Sequence, residues 1–121
     1  EGKKQLEDAI SAFDKVSELV PESYLGYFWK ARASSALDPE TTKGLAKPFY
    51  EKTAEIILAK NDDSNKRELV EAYSYLSYYH YLQFATSRSA SEKALVQSYS
   101  TKLLEVDPGN NVGTQLLEAI K

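Results

Sequence analysis

The sequence predicts an all-α protein of about six helices joined by short connections. Apolar residues recur three and four positions apart along nearly the whole chain, which is the spacing of amphipathic helices. No segment of the sequence shows the sustained alternation of apolar and polar residues that is typical of a strand. Because short connections favour antiparallel neighbours, we expect consecutive helices to pack side by side.

The first two helices are predicted from one apolar stripe each, and a proline follows each stripe. The first stripe consists of Leu6, Ala9, Ile10, Phe13, Val16 and Val20. Pro21 ends this helix, because proline cannot continue the hydrogen-bond ladder. The second helix is predicted over residues 24–37, with apolar positions at Tyr24, Tyr27, Phe28, Ala31 and Leu37. Asp38-Pro39 ends it, and residues 41–44 are predicted to form a loop.

The third helix is predicted to start near Leu45, and the fourth to follow a polar turn at residues 61–64. Pro48 is acceptable in a first turn, where its missing N–H has no partner to lose. The apolar positions of the third helix are Leu45, Phe49, Ile56 and Ile57. Asn65 and Glu68 have the spacing of a capping box, which predicts a fourth helix that runs to about Ala85. Its apolar positions are Tyr73, Tyr75, Leu76, Tyr78, Tyr79, Tyr81, Leu82 and Phe84.

A second capping box, Ser89 with Glu92, predicts the start of the fifth helix. The apolar positions of this helix are Leu95, Val96, Tyr99, Leu103 and Val106. The strong breaker at residues 107–110 ends it. A short sixth helix is predicted to follow, with apolar positions at Val112, Leu116, Leu117 and Ile120.

Composition restricts the classes of partner. A net charge of −3 argues against a nucleic-acid or anionic-membrane partner, since both attract clustered Lys and Arg. The absence of cysteine excludes disulfides and thiolate chemistry, and it leaves the cell compartment open, whether cytoplasmic or exported. No apolar run approaches the roughly 18 residues that span a membrane, so we expect no direct membrane insertion. Because the chain begins at Glu1 and contains no methionine, we expect a processed chain or a piece of a longer one.

The sequence gives little indication of catalysis or metal binding. His80 is the single histidine, and in an aromatic stripe we expect it to pack or to form a hydrogen bond. Asn61, Asp63 and Asn65 have the alternating spacing of a calcium loop. However, lysine follows at position 66, where that loop needs glycine, and an acidic capping turn is the favoured interpretation. No nucleophile elbow, phosphate loop or metalloprotease motif occurs. We therefore expect no enzyme activity, no cofactor and no metal.

Small, aromatic and proline residues recur in a repeated pattern along the chain, in the segments Ala9-x3-Phe13 with Pro21, Ala46-x3-Tyr50, Tyr73-x2-Leu76-Ser77-x2-His80, and Tyr99 with Pro108. This pattern resembles the tetratricopeptide repeat (TPR) superfamily, in a degenerate form similar to bacterial members. The second helix matches at Tyr27 and at the small Ala31, but Lys30 and Ser34 depart from the pattern. Two helices pack closely only where a small residue lies at their crossing, which is the predicted role of Ala31 and Ser77.

The resemblance implies a right-handed α-solenoid of antiparallel helix hairpins with a capping helix at its carboxy-terminal end. Within a single domain, it implies a second helix of a cut repeat at residues 3–20, helix pairs at 22–60 and 65–106, and a capping helix at 110–121. A carboxy-terminal fragment of a repeat protein has this organisation.

In this superfamily the first helix of each pair lines a concave face, which implies a groove for a peptide or protein partner. By position, the groove residues are Leu25, Phe28, Trp29, Arg32, Glu71, Ser74, Tyr75, Tyr78 and Tyr81. Aromatic residues and arginine are enriched at binding hot spots. Two alternatives stay open. One is structural self-association of a larger repeat protein, including a homo-oligomer formed through the first helix. The other is binding of a carbohydrate or small ligand by the exposed rings.

Overall fold

The computed structural model describes residues 2–20, 23–60 and 64–121, and within these ranges it contains six helices and no strand. The helices are α1 (Gly2–Leu19), α2 (Leu25–Leu37), α3 (Lys47–Lys60), α4 (Lys66–Ser87), α5 (Ala90–Val106) and α6 (Asn111–Ala119). The all-α prediction is confirmed. Helix α3 begins two residues after the predicted start, with Pro48 in its first turn, and α4 extends two residues further than predicted. Pro21 and most of the polar turn at 61–64 lie outside the described residues.

The chain divides into two compact units, Glu1–Ser64 (unit 1) and Asn65–Lys121 (unit 2). In unit 1, α1 packs against α2, and α2 packs against α3. In unit 2, α4 packs against α5, and α6 packs against both of them. The division of the chain into individual repeats stays a prediction. None of the helices in the described ranges is long and apolar enough to cross a membrane.

Helices α1 and α2 approach one another closely at Gly26. A Cβ atom placed on Gly26 would lie 3.0 Å from the carbonyl oxygen of Phe13 and 3.0 Å from the backbone nitrogen of Ser17. It would lie closer still to Ser17 Oγ, and Ser17 is the one buried residue of α1 in the described range. Because two of these neighbours are backbone atoms, the space cannot be recovered by a change of rotamer. Glycine at position 26 therefore sets the separation of the two helices.

Unit 1 has an apolar core with one buried charge. Its buried apolar side chains are Phe28, Ala31, Ala33, Ala46, Tyr50, Ala54 and Ile57. Lys30 lies among them and is only 6% exposed. Its ammonium is 2.6 Å from Asp14 Oδ1 on α1, and it lies over the rings of Tyr27 and Phe49 at 4.8 and 4.6 Å. A buried ammonium is stable only where an opposite charge or aromatic faces replace its lost hydration. The carboxylate and the two rings therefore explain why a lysine is accepted at a position where the repeat pattern has an apolar residue.

The loop between α2 and α3 is organised by the buried carboxylate of Asp38. It accepts hydrogen bonds from the backbone N–H groups of Lys43 at 3.1 Å and Gly44 at 2.9 Å. Thr41 and Gly44 both have positive φ, at 67° and 68°, so the chain turns tightly here. The loop predicted at residues 41–44 is thus a fixed turn built around one side chain.

Replacing Asp38 by alanine is expected to lower the free energy of unfolding by about 2 kcal/mol, because the loop N–H groups lose a charged acceptor. Urea unfolding followed by circular dichroism measures the loss. Glu40→Ala, an exposed change in the same loop, is the matched control and should leave the stability near that of the unmodified chain. Equal losses in the two variants would contradict an organising role for Asp38.

Unit 2 has buried serines on α4 and α5, and α6 packs against both helices. Ser77 on α4 and Ser100 on α5 are fully buried, as expected for Ser77 at a helix crossing. Helix α6 begins at the N-cap Asn110, whose side chain accepts a hydrogen bond from the Gly113 N–H at 3.1 Å. Leu116 of α6 and Ile120 at its C-cap pack with Phe84 and Val96 in one apolar cluster.

Candidate functional site

The single histidine joins α4 to α5. His80 is buried and donates a hydrogen bond from Nδ1 to Glu92 Oε1 at 2.7 Å. Its ring stacks on Tyr99 at a centroid distance of 5.8 Å and meets the edge of Tyr79 at 5.0 Å. The predicted packing and hydrogen-bonding role of His80 agrees with this geometry. In the described part of the chain, no cluster of three or more potential metal-ligating His, Cys, Asp or Glu residues occurs.

The two predicted capping boxes differ from expectation in their side chains. Ser89 is the N-cap of α5 and accepts a hydrogen bond from the Glu92 N–H at 3.3 Å, as predicted. In the described residues the Glu92 carboxylate binds His80, and the Ser89 N–H donates to Ser87 Oγ at 3.1 Å rather than to Glu92. Asn65 is the N-cap of α4, but its side chain forms no capping hydrogen bond within the described residues. Its backbone φ of −121° and ψ of 37° differ from the extended conformation of Ser89.

An aromatic surface on unit 1 is centred on Trp29, whose side chain is 41% exposed. Phe13 of α1 stacks against its indole at 6.3 Å, and Phe28 meets it edge to face at 5.7 Å. The guanidinium of Arg32 lies over both Trp29, at 4.7 Å, and Phe28, at 4.4 Å. These contacts hold the indole in one orientation while part of it stays exposed. Leu25, one turn earlier on α2, is also exposed.

Neighbouring aromatic residues of α2 therefore have different environments. Phe28 is only 4% exposed and belongs to the core of unit 1. Successive helical residues point about 100° apart, so Phe28 faces the core and Trp29 faces outward. Phe28 was predicted to line the groove, but in the structure it supports Trp29 and Arg32 from the core side.

The aromatic surface on unit 2 is centred on Tyr78, which is 43% exposed. One turn earlier, Tyr75 is half-buried and stacks on Tyr79, with ring centroids 6.5 Å apart and planes 2° apart. Tyr81 is also half-buried and packs against the cluster that α6 completes. Glu71 and Ser74, earlier on α4, are half-buried as well.

Of the nine predicted groove residues, four lie on unit 1 and five on unit 2. Four are exposed, namely Leu25, Trp29, Arg32 and Tyr78, four are half-buried, namely Glu71, Ser74, Tyr75 and Tyr81, and the ninth, Phe28, is buried. A single groove stays a prediction. The sequence reasoning did not identify Phe13 as a support for Trp29, because Phe13 lies on the apolar stripe of α1 that was expected to be core.

Burial and, to a smaller extent, the nearby Glu105 carboxylate raise the pKa of Tyr73 above its ordinary value of 10.0. As the pH rises through this range, Tyr73 loses its phenol proton more readily in the unfolded chain than in the folded chain, so the free energy of unfolding falls. Tyr73→Phe should therefore lose less stability between pH 8 and about pH 10.5 than the unmodified chain in urea unfolding. Tyr78→Phe is the exposed control. An unchanged alkaline loss in Tyr73→Phe would contradict this expectation.

Comparison with known proteins agrees with the helical-repeat architecture. No protein-family model matches the sequence, and no curated protein matches it. The chain is similar to the C-terminal part of a TPR repeat-containing protein from Cytophaga hutchinsonii, with 38% sequence identity and a TM-score of 0.78 to its crystal structure. The similarity covers 94% of this chain and 41% of that chain, so this chain spans less than half of the relative's length. This match confirms the resemblance to tetratricopeptide repeat proteins that the small, aromatic and proline positions of the sequence indicated.

Proposed function

We propose that the chain is a non-enzymatic scaffold that binds a peptide or protein partner through the exposed aromatic side chains of α2 and α4. The observation that supports this most strongly is the exposure of Trp29 and Tyr78, at 41% and 43%, on two core-forming helices. Large aromatic side chains supply much of the binding energy at protein interfaces, because they bury a large area with few rotatable bonds.

The surroundings of Trp29 favour binding. Phe13 and Phe28 fix the indole ring before a partner arrives, so little side-chain entropy remains to be lost on association. Arg32 adds a positive charge beside the ring. A partner segment with an apolar side chain next to an acidic one would complement this surface.

Selection from a random displayed-peptide library identifies ligands directly by their affinity for the purified chain. The chain contains one tryptophan, so a selected peptide that covers Trp29 should shift its fluorescence emission to shorter wavelength. We expect the selected peptides to share an aromatic or aliphatic residue beside an acidic one. Peptides that bind without any change in Trp29 emission would contradict a role for the unit 1 surface.

Alanine variants test the two surfaces separately. Trp29→Ala should weaken binding of a dye-labelled peptide that shifts Trp29 emission, and Tyr78→Ala should weaken binding of one that does not, each by about tenfold or more, as expected for hot-spot residues. Leu58→Ala, which truncates an exposed apolar side chain on α3, is the control and should bind normally. Cooperative urea unfolding should persist in all three variants. If the aromatic variants lose cooperative unfolding, those residues are core and the proposal fails.

Carbohydrate binding is the outcome that would replace this proposal. Exposed Trp and Tyr rings also stack against sugar faces, and a glycan array presented with the purified chain would detect such binding. Glycan signals that Trp29→Ala abolishes, together with no peptide enrichment, would assign the surface to sugars.

A further inference from the structure

His80 introduces a group that takes up a proton near neutral pH into the contact between α4 and α5. In water an imidazole is protonated below about pH 6.5. The His80 side chain is only 5% exposed, and it contacts Glu92 and Tyr99 of α5. Because a buried charge without a partner is unfavourable, an unpaired imidazolium at this position would weaken the helix contact as the pH falls.

Two groups of α5 are arranged to receive a positive charge on His80. The Oε1 atom of Glu92 lies 2.7 Å from Nδ1, a distance typical of a charge-assisted hydrogen bond. The ring of Tyr99 is stacked on the imidazole, with the two planes 7° apart. Aromatic faces attract cations, so Tyr99 adds to the attraction of the carboxylate.

Glu92 has a local alternative that its carboxylate does not use. It lies three residues after the N-cap Ser89, and from that position a glutamate can accept a hydrogen bond from the N-cap N–H. In the described residues the Ser89 N–H donates to Ser87 Oγ, and Glu92 bonds His80. The Glu92 side chain is 24% exposed, and the first turn of a helix favours negative charge. The carboxylate is therefore directed at the imidazole from a place that stabilises its own charge.

In the part of the chain that the structure describes, no other charge competes for His80. Glu92 is the acidic side chain that bonds it. The ring contact on its own helix is with Tyr79, at 5.0 Å. Helix α6, which also packs against α4, has a single charged residue, Glu118, and this residue pairs with Lys121 at 2.6 Å. The response of the α4–α5 contact to acid is therefore set by His80 and Glu92.

We propose that Glu92 is a built-in counter-ion for the imidazolium of His80, which keeps α4 and α5 packed when His80 takes up a proton in mild acid. When the ring is neutral, its Nδ1–H donates a hydrogen bond to the carboxylate. When the ring is charged, the same two atoms form an ion pair, so Nδ1 and the carboxylate keep their partner in both states. The pair is thus an acid-tolerance device of unit 2, and it does not depend on whether the chain binds a peptide.

Glu92→Gln tests the counter-ion directly. The amide oxygen of glutamine still accepts the hydrogen bond from a neutral imidazole, but it carries no charge. In this variant the unfolded chain binds the proton and the folded chain does not, so stability falls as the pH falls. Between about pH 8 and pH 5.5 its unfolding equilibrium constant should rise about tenfold more than that of the unmodified chain, since an unfolded histidine has a pKa of about 6.5. Urea unfolding followed by the nuclear magnetic resonance signals of the α4 and α5 amides measures this rise.

Two further variants separate the His80–Glu92 pair from other effects of acid. Glu68→Gln removes the first-turn acid of α4, about 18 Å along the helix from His80, and should respond to acid like the unmodified chain. His80→Gln/Glu92→Gln has no imidazole to charge and should lose the additional rise. Each chain is compared with itself at two pH values, so a constant loss of stability cancels. An equal acid response of Glu92→Gln and the unmodified chain, or an unchanged rise in the double variant, would overturn the proposal.

The unmodified chain provides a test that needs no variant. Its single histidine gives one set of imidazole nitrogen signals in magnetic resonance spectra, which report whether the ring is neutral or charged. His80 should become charged as the pH is lowered from about 8 to about 5, while the amide signals of α4 and α5 keep their folded positions. A ring that stays neutral in the folded chain, or that becomes charged only as those amides move to unfolded positions, would show that the carboxylate does not support the buried charge.

Discussion

Gly26→Ala is expected to lower the free energy of unfolding of unit 1 by about 3 kcal/mol, the upper part of the range for overpacking a well-packed contact. The added methyl group would lie 3.0 Å from a carbonyl oxygen and a backbone nitrogen of α1, so the two helices must separate to accommodate it. Separation also loosens the Lys30–Asp14 ion pair, which bridges the same helices. This loss is large because two of the three neighbouring atoms belong to the backbone and cannot rotate away.

Urea unfolding followed by Trp29 emission measures this effect locally, since the single tryptophan contacts Phe13 across the α1–α2 interface. Gly2→Ala provides a matched control on the same pair of helices. No atom lies within 4 Å of a Cβ at Gly2, so alanine there should be neutral or slightly stabilising. Near-equal midpoints for the two variants would show that α1 and α2 are not held together at Gly26.

Lys30→Ala should also cost about 3 kcal/mol, because it removes both a buried aliphatic chain and the ammonium that pairs with Asp14. Lys30→Met keeps most of the buried volume without the charge. Replacing a buried charge by an apolar group of similar size is often neutral, so Lys30→Met should regain most of the lost stability.

The same Trp29-monitored unfolding distinguishes packing from charge. Asp14→Asn should destabilise the Lys30 chain by more than it destabilises the Lys30→Met chain, because only the former has an ammonium to compensate. Asp8→Asn, which changes an exposed acid on the same helix, should have no measurable effect. If Lys30→Met proves as unstable as Lys30→Ala, the ion pair and not the packing accounts for the stability.

Local signals in the sequence were sufficient to predict the helices and most of their ends. The apolar spacing predicted the six helices that the structure describes, and the Ser89 cap was placed correctly. The close approach at Gly26 was not predicted. A glycine in the first turn of a helix carries no local sign of its distant neighbour, because that neighbour depends on the register of α1 against α2. Lys30 was recognised as a departure from the repeat pattern, but its partner Asp14 is 16 residues away and was not found.

The candidate site was predictable only in part, and the reason is similar. Hydrophobic character alone does not tell which of Phe28 and Trp29 is exposed, since they are adjacent on α2 and both are aromatic. The packing of the neighbouring helices decides it, and it buries Phe28. On α4, the density of tyrosines indicated that some rings must be exposed. The structure identifies Tyr78 as exposed and Tyr73 as buried.

Nuclear magnetic resonance titration of the isotope-labelled chain with a selected peptide tests the binding proposal most directly. The single indole N–H of Trp29 gives one assignable side-chain signal. We expect the peptide to shift this signal or the backbone amides around Tyr78 on α4, according to which aromatic surface it occupies, and to leave the amides around Leu58 on α3 unchanged. Shifts confined to other surfaces, with the Trp29 indole signal and the amides around Tyr78 both unmoved at saturation, would contradict binding through the aromatic side chains of α2 and α4.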